Sequence, residues 1–560
     1  MSDIYPPSAA SAIKQNQEGQ LSSGHKFSPA AMKNLSKGDS VLFQKYGCGL
    51  SVTPDYSCIH HAFEAMVLKY PDTIAVRDKH RQVSYRELNQ QANYLAAVLS
   101  WNGVGVGDNV ALFLQRSVSM VVGILATLKV GAAYVPQDGG VAPRSQLEHV
   151  IYSASTKIIL TTSDMSGDIP IPDGHKRINI DEVILESKTT RENAVVSFQP
   201  ASEVLSTHRC FVLFTSGTTG KPNGVQVTHG NICNILLTSP GNLSVQVGDK
   251  VSQILNIAFD MAAWEIFVCL AHGGTLIIRG DNIQAAAEQA NVIIATPSVL
   301  AGIDLSRCHS VKVAAVAGEP CPKPLADNWS KRCSFYNSCG PTETTIINTA
   351  QRYSADCEQL TIGKPTPNNT VYVLDQSRQP CAIGEVGEMW AGGECVTAGY
   401  LNNESLNAER YVDDPFLGGG RKMFRTRDLG RWTQNGELEH LGRTDDQVKV
   451  RGFRVELDSV SVALESTPLC EQAVTLKLDN RHLVAFVSPA TVDVQAAKEG
   501  LAKLLPYYCI PTFILALDKL PKTSRGKTDK RRLLEMAQEF KEKMQTATKS
   551  NQAKKQEMLT

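Results

Sequence analysis

Short apolar runs alternating with helix-patterned stretches fill most of the first 316 residues, and no other feature constrains the fold more tightly. Runs at 74–76, 109–114, 133–136, 158–160, 210–213, 254–259, 276–278, 292–295 and 311–316 are strand-like. Between them the spacing predicts a helix over 58–66 stopped by Pro71, and a second opening at Ser84 with Glu87 as its capping-box partner. A third is predicted over 117–129, ended by Gly131. Strands separated by amphipathic helices imply α/β layering around a largely parallel sheet.

The pattern changes further along. Pro- and Gly-rich stretches at 363–367 and 418–420 precede shorter strands at 371–374 and 438–441, so a β-rich layer and then a small α+β unit are expected. The fold class predicted is therefore mixed α/β. Its expected divisions are a disordered N-terminal extension over 1–52, a large α/β core with a β-rich subdomain over 53–443, a small mobile α+β domain over 444–533, and a charged tail over 534–560. A length of 560 residues and an apolar content of 42% suit more than one packed core.

A formal net charge of zero argues against a nucleic-acid partner or a polybasic membrane anchor. No stretch approaches the ~18 consecutive apolar residues of a membrane span. The 14 cysteines are scattered with no Cys-x-x-Cys pair, which points to reduced thiols and a cytoplasmic location. Small molecules and proteins are the expected partners.

Between the runs at 210–213 and 225–229 lies Phe214-Thr215-Ser216-Gly217-Thr218-Thr219-Gly220-Lys221-Pro222-Asn223-Gly224, a tight loop between strands. Its glycines permit sharp turns, its hydroxyls stand beside backbone N–H groups, and Lys221 adds a positive charge, which together can wrap a polyphosphate. The spacing is not that of a Walker A loop. Taken alone, such a stretch is more often a linker than a nucleotide site.

Other stretches reverse that reading. Leu128 to Pro136, the Thr215 loop, Phe259-Asp260, Asn337-Ser338-Cys339-Gly340-Pro341-Thr342-Glu343, Gly387-Glu388, Thr426-Arg427-Asp428, Gly442 to Gly452, Leu505-Pro506-Tyr507-Tyr508 and Gly526-Lys527 occur in one order between Thr53 and Leu533. Together they resemble the adenylate-forming superfamily, specifically a free-standing adenylation domain of the nonribosomal peptide synthetases. The resemblance implies that a carboxylic acid and ATP with Mg²⁺ give an acyl-adenylate and pyrophosphate. A thiol, on a separate carrier protein or on coenzyme A, then displaces AMP.

It also implies roles. Thr215, Ser216, Gly217, Thr218, Thr219, Gly220 and Lys221 would hold phosphates. Gly318, Glu319 and Pro320 would lie beneath adenine, Asn337 would read its amino group, and Ser338 and Cys339 would complete that wall. Asp428 and Arg443 would hold the ribose, because an ionised carboxylate accepts both hydrogens of a cis-diol. Glu343 would contact Mg²⁺, and Thr342 and Lys527 would act at the reacting phosphate and carboxylate. Asp445 would be the hinge of the small domain.

Asp260 matches the position at which amino-acid-activating members pair the substrate ammonium; its alternative is a helix N-cap. Burying an ammonium without a partner is costly, so an aspartate there favours an amino acid over a fatty or aryl acid. The remaining pocket positions would be Met261, Trp264, Ile294, Ala315, Ala317, Ser338, Ile346 and Ile347, which suit an uncharged side chain of medium or large size. Four residues depart from the family pattern. Asn223 stands for a usual lysine, Cys339 for an adenine-stacking aromatic, Arg427 for a glycine, and Ala398 for an arginine. The competing readings are an acyl- or aryl-CoA ligase and a nucleotide-binding descendant without catalysis.

Overall fold

A computed structural model describes residues 26–557 except 166, 168, 190–197, 218–220, 451, 469 and 524–527. Among the described residues the larger part of the chain builds a nine-stranded, a six-stranded and a five-stranded sheet. In the first, Ser334–Cys339, Val313–Val316, Val292–Ala295, Lys250–Gln253, Thr275–Ile278 and Ile74–Arg77 run parallel to one another. In the second, Lys176–Asn179, Ile158–Thr161, Asn109–Phe113, Ala133–Gln137 and Arg209–Thr215 do the same. Antiparallel strands close both edges of the first sheet and one edge of the second, where Asn223–Thr228 pairs with Arg209–Thr215. The expected layered, largely parallel α/β architecture is thus present.

Burial explains the layers. Helices Val118–Lys129 and Asp260–Leu270 are buried almost throughout and share one apolar core with both parallel sheets. An all-round apolar helix is stable only when covered on every side. The start signals act as read: Ser84 and Glu87 make the reciprocal capping box of Tyr85–Trp101, and Ser117 caps Val118–Lys129 by accepting from the Met120 amide.

Two expectations are corrected. The apolar run at 254–259 is not a strand, because the strand ends at Gln253. Beyond it the buried carboxylate of Glu265 accepts the amides of Ile254 (2.7 Å) and Leu255 (3.1 Å), taking the place of a neighbouring strand. The N-terminal extension also folds in part: Lys37–Gly47 is a helix capped by Ser36. Phe27 and Phe43 pack with Tyr372 of the five-stranded sheet and with Phe416 in the turn between two of its strands, which anchors a stretch whose composition alone reads as polar linker. Residues 1–25 lie outside the described residues.

From Gln447 onward the chain builds sheets of its own: a hairpin of Gln447–Val450 with Phe453–Glu456, and a sheet of Gln472–Lys477, Leu483–Ser488 and Phe513–Ala516. Helices Leu457–Glu465 and Val494–Leu504 cover that sheet around a separate apolar cluster. The stretch expected as a charged tail lies, up to Glu557, within helix Lys530–Glu557. No helix among the described residues is long and apolar enough to cross a membrane.

Candidate active site

A cleft of ≈ 790 Å³ opens beyond the carboxyl ends of the parallel strands and is roofed by the 447–456 hairpin. Such ends are the usual ligand position in open α/β sheets, since loops leaving the strands converge there without the strands' own pairing demands. The expected residues arrive from several elements. Thr215 ends one strand and Ser216 follows it, Ala317, Gly318, Glu319 and Pro320 follow another, and Asn337, Ser338 and Cys339 end a third. Asp260, Met261, Thr342, Ile346, Asp428 and Arg443 complete the lining.

Others lie elsewhere. Trp264, Ile294, Ala315 and Ile347 are buried behind the cleft wall, and Trp264 donates its indole N–H to the Gly241 carbonyl (2.7 Å). Lys221 is exposed and does not line the cleft. Gly217 is buried, and a side chain there would collide with the Lys221 carbonyl at 2.5 Å, which is why this loop requires glycine. Thr218, Thr219, Gly220 and Lys527 lie outside the described residues.

At one end, Asp428 and Arg443 face each other across adjacent antiparallel strands, with Arg443 Nη1 2.6 Å from Asp428 Oδ1. Burial would raise the Asp428 carboxyl, but His440 and Arg443 hold it below its ordinary range. Arg443 also forks onto both oxygens of Asp445, at 2.7 and 3.0 Å. Asn337 donates to the Thr361 carbonyl (2.6 Å). Ser338 Oγ and Glu319 Oε1 are buried with no hydrogen-bond partner among the described residues.

Asp260 is the first residue of helix Asp260–Leu270; the N-cap is Phe259, so the capping alternative does not apply. Burial pushes its carboxyl up, partly offset by a hydrogen bond with Thr342 and by the charge of Lys449. An ammonium brought here would meet a desolvated anion with spare acceptor capacity.

Glu343 is fully buried and already satisfied. Arg454 Nη1 lies 2.9 and 3.2 Å from its two oxygens, and the Tyr400 hydroxyl donates to Oε1 at 2.7 Å. Burial alone would raise this carboxyl; Arg454, Arg410 and Tyr400 hold it at about 2. Among the described residues no group of three His, Cys, Asp or Glu could hold a metal. In this arrangement Glu343 does not fit the cation contact that the resemblance implies.

The departures have local explanations. Arg427 sits at φ 63°, the left-handed region that favours glycine, and is held there by ion pairs to Glu409 and Asp445. Asn223 pairs in register with Thr215 and accepts from the Asn403 amide at 3.0 Å. Ala398 acts through its backbone, donating to the Gln226 carbonyl (3.0 Å). Cys339 lines the cleft with its thiol raised to about 12, first by burial and then by Asp428, so it is a small neutral wall residue. We expect Cys339→Tyr to lower the KM for ATP, since a stacking face is worth roughly 0.5–1.5 kcal/mol. An unchanged or raised KM would mean that adenine is held otherwise.

Sequence reasoning missed His440, Tyr400 and Arg454. His440 has the clearest signal in retrospect: two residues from Leu438, it shares a strand with Arg443. Arg454 has none, because its partner is 111 residues away in the chain.

A family profile described as AMP-binding enzyme matches residues 63–401. The chain is 44% identical over 513 residues to adenylate-forming reductase 06235 of Coprinopsis cinerea, covering 91% of this chain and 49% of that protein. It is 33% identical to gramicidin S synthase 1 of Brevibacillus brevis, covering 86% of this chain and 45% of that protein. The chain therefore spans about half the length of these curated relatives. An artificially fused adenylation–PCP di-domain, NpsA-ThdA from Klebsiella oxytoca, superimposes with a TM-score of 0.73 at 25% identity, covering 82% of this chain and 93% of that one.

Proposed function

Because the chain belongs to the AMP-binding enzyme family of the adenylate-forming superfamily, we propose that it uses ATP to activate an α-amino acid as aminoacyl-AMP, releasing pyrophosphate, and then passes the acyl group to a thiol. One observation carries this reading. Asp260 and the Asp428–Arg443 pair line the same cleft, which supports an ammonium partner and a ribose partner acting on one bound adenylate.

Each residue then has a task. Asp260 binds and orients the ammonium; Asp428, with its charge secured by Arg443 and His440, accepts the sugar hydroxyls. The Thr342 hydroxyl, which donates to Asp260 in this arrangement, would turn from it to donate to the reacting carboxylate or phosphate. Thr215 and Ser216 offer hydroxyls to the phosphates, and Lys527 supplies charge where the carboxylate attacks the α-phosphorus, the step most opposed by like-charge repulsion. Met261, Ala317, Ser338 and Ile346 bound the side-chain pocket with uncharged groups. Residues 444–533 form the moving unit.

The acceptor is a pantetheine-type thiol on a carrier protein, in keeping with the NpsA-ThdA likeness. The likeness to an adenylate-forming reductase favours one variant of this reading, in which the activated acyl group is delivered to a reductase.

Pyrophosphate release measured over a panel of amino, fatty and aryl acids tests the proposal. Release should be confined to a subset of the amino acids. Release with fatty or aryl acids alone would establish a CoA-ligase type, and none with any acid would establish a binding protein without catalysis.

A further inference from the structure

The pairing at Glu343 sets a buried side chain against the metal contact that the resemblance implies. We propose that Arg454 and a divalent cation exclude one another at Glu343, so that Arg454 is a positioning residue that keeps the docked hairpin and a metal-bound triphosphate from coexisting. The inference rests on the adenylation reading above.

Three contacts bring the hairpin region onto the phosphate side of the cleft. Arg454 covers both oxygens of Glu343. The Ser216 hydroxyl, a phosphate donor in the proposed function, donates to the Arg454 carbonyl at 3.1 Å. Ser459 donates to the carbonyl of Gly217. Phe259 and Phe453, with ring centroids 4.7 Å apart, close the same seam from the acid side.

Charge makes the exclusion reciprocal. Glu343 is 0% exposed, so leaving it without a cation is costly, and the hairpin withdraws readily only when another positive charge replaces the guanidinium. Placing a divalent cation beside Arg454 and the nearby Arg410 would crowd three cations around one carboxylate in a medium of low polarity. A small divalent cation also keeps several waters, for which a carboxylate covered by a guanidinium and a phenol has no room. By linkage, cation binding undocks the hairpin to the same degree that docking expels the cation.

The test uses the full chain, Mn²⁺ as the probe and a non-hydrolysable ATP analogue, with bound Mn²⁺ read from the electron paramagnetic resonance signal of the free ion. If the hairpin is docked in about nine molecules of ten, Arg454→Gln tightens apparent Mn²⁺ binding about tenfold. Arg454→Lys, which keeps the charge, stays within about threefold of the unaltered protein on the same scale. Unchanged or weaker Mn²⁺ binding in Arg454→Gln overturns the proposal. A second measurement needs no variant: amide exchange in the 447–456 hairpin should quicken when Mn²⁺ and the analogue are added together, and stay slow with the analogue alone. Equal protection in both conditions overturns the proposal even if the variants fail to fold. Neither readout involves an acid or a thiol, so an error in the proposed substrate would appear as absent pyrophosphate release with the Mn²⁺ competition intact.

Discussion

Asp260→Ala is expected to lower kcat/KM for α-amino acids by roughly two orders of magnitude, while des-amino analogues lose less than about threefold. The difference arises because only the amino acid brings an ammonium into a desolvated pocket, and removing one partner of a buried pair costs about 3 kcal/mol or more. Helix geometry does not distinguish the two classes: the N-cap is Phe259, and the bond from the Met261 backbone N–H to the Asp260 carboxylate is lost whichever substrate is bound. Loss of the Asp260–Thr342 hydrogen bond likewise affects both substrate classes and accounts for the smaller loss. Pyrophosphate release should be measured for each amino acid and its des-amino partner at matched saturation. Equal losses in the two classes would remove Asp260 from ammonium recognition.

Lys527→Ala and Lys449→Ala should separate the two half-reactions. Lys527 lies outside the described residues; its neighbours Lys522 and Thr528 pair in a β-bridge, and neither lines the cleft. Lys449 does line it, within reach of the charges of Asp260 and Asp428, and burial lowers its pKa. In the docked arrangement the hairpin thus presents Lys449; the proposed function assigns Lys527 to the phosphate in a second orientation of residues 444–533. Losing one such preorganised charge costs roughly 10²–10³ in rate. Lys527→Ala should therefore lose adenylate formation by about that factor, while thioester formation from a supplied aminoacyl-adenylate stays within about threefold. Lys449→Ala should do the opposite, slowing thiol transfer by about tenfold with adenylation nearly intact. Each half-reaction is measured separately on both variants with a chemically prepared adenylate. Parallel loss of both steps in both variants would refute the alternation of the small domain.

Local patterning determined more than the layered sheets. Strand-like runs such as 292–295 and the Ser84–Glu87 and Ser117 caps depend on residues within a few positions of one another, so their physics is complete in the sequence. The order of motifs, through the family resemblance it carries, pointed to Thr215, Asp260, Asn337, Asp428 and Arg443, all of which line the cleft.

Tertiary structure decided what depends on distant partners. It ended a strand at Gln253, where Glu265 supplies the acceptors that a neighbouring strand would have offered. It ordered Phe27 and Phe43, whose aromatic partners lie more than 300 residues away, and moved Trp264, Ile294, Ala315 and Ile347 behind the wall they were expected to form. It also allowed an arginine at 427 in a backbone conformation that favours glycine, by giving it two carboxylates. Above all it paired Glu343 with Arg454, a contact that neither residue's neighbours encode and that depends on how a separately built hairpin meets the core. Periodicity and capping are local, whereas the charge state and accessibility of a buried carboxylate are set by whatever the fold brings against it.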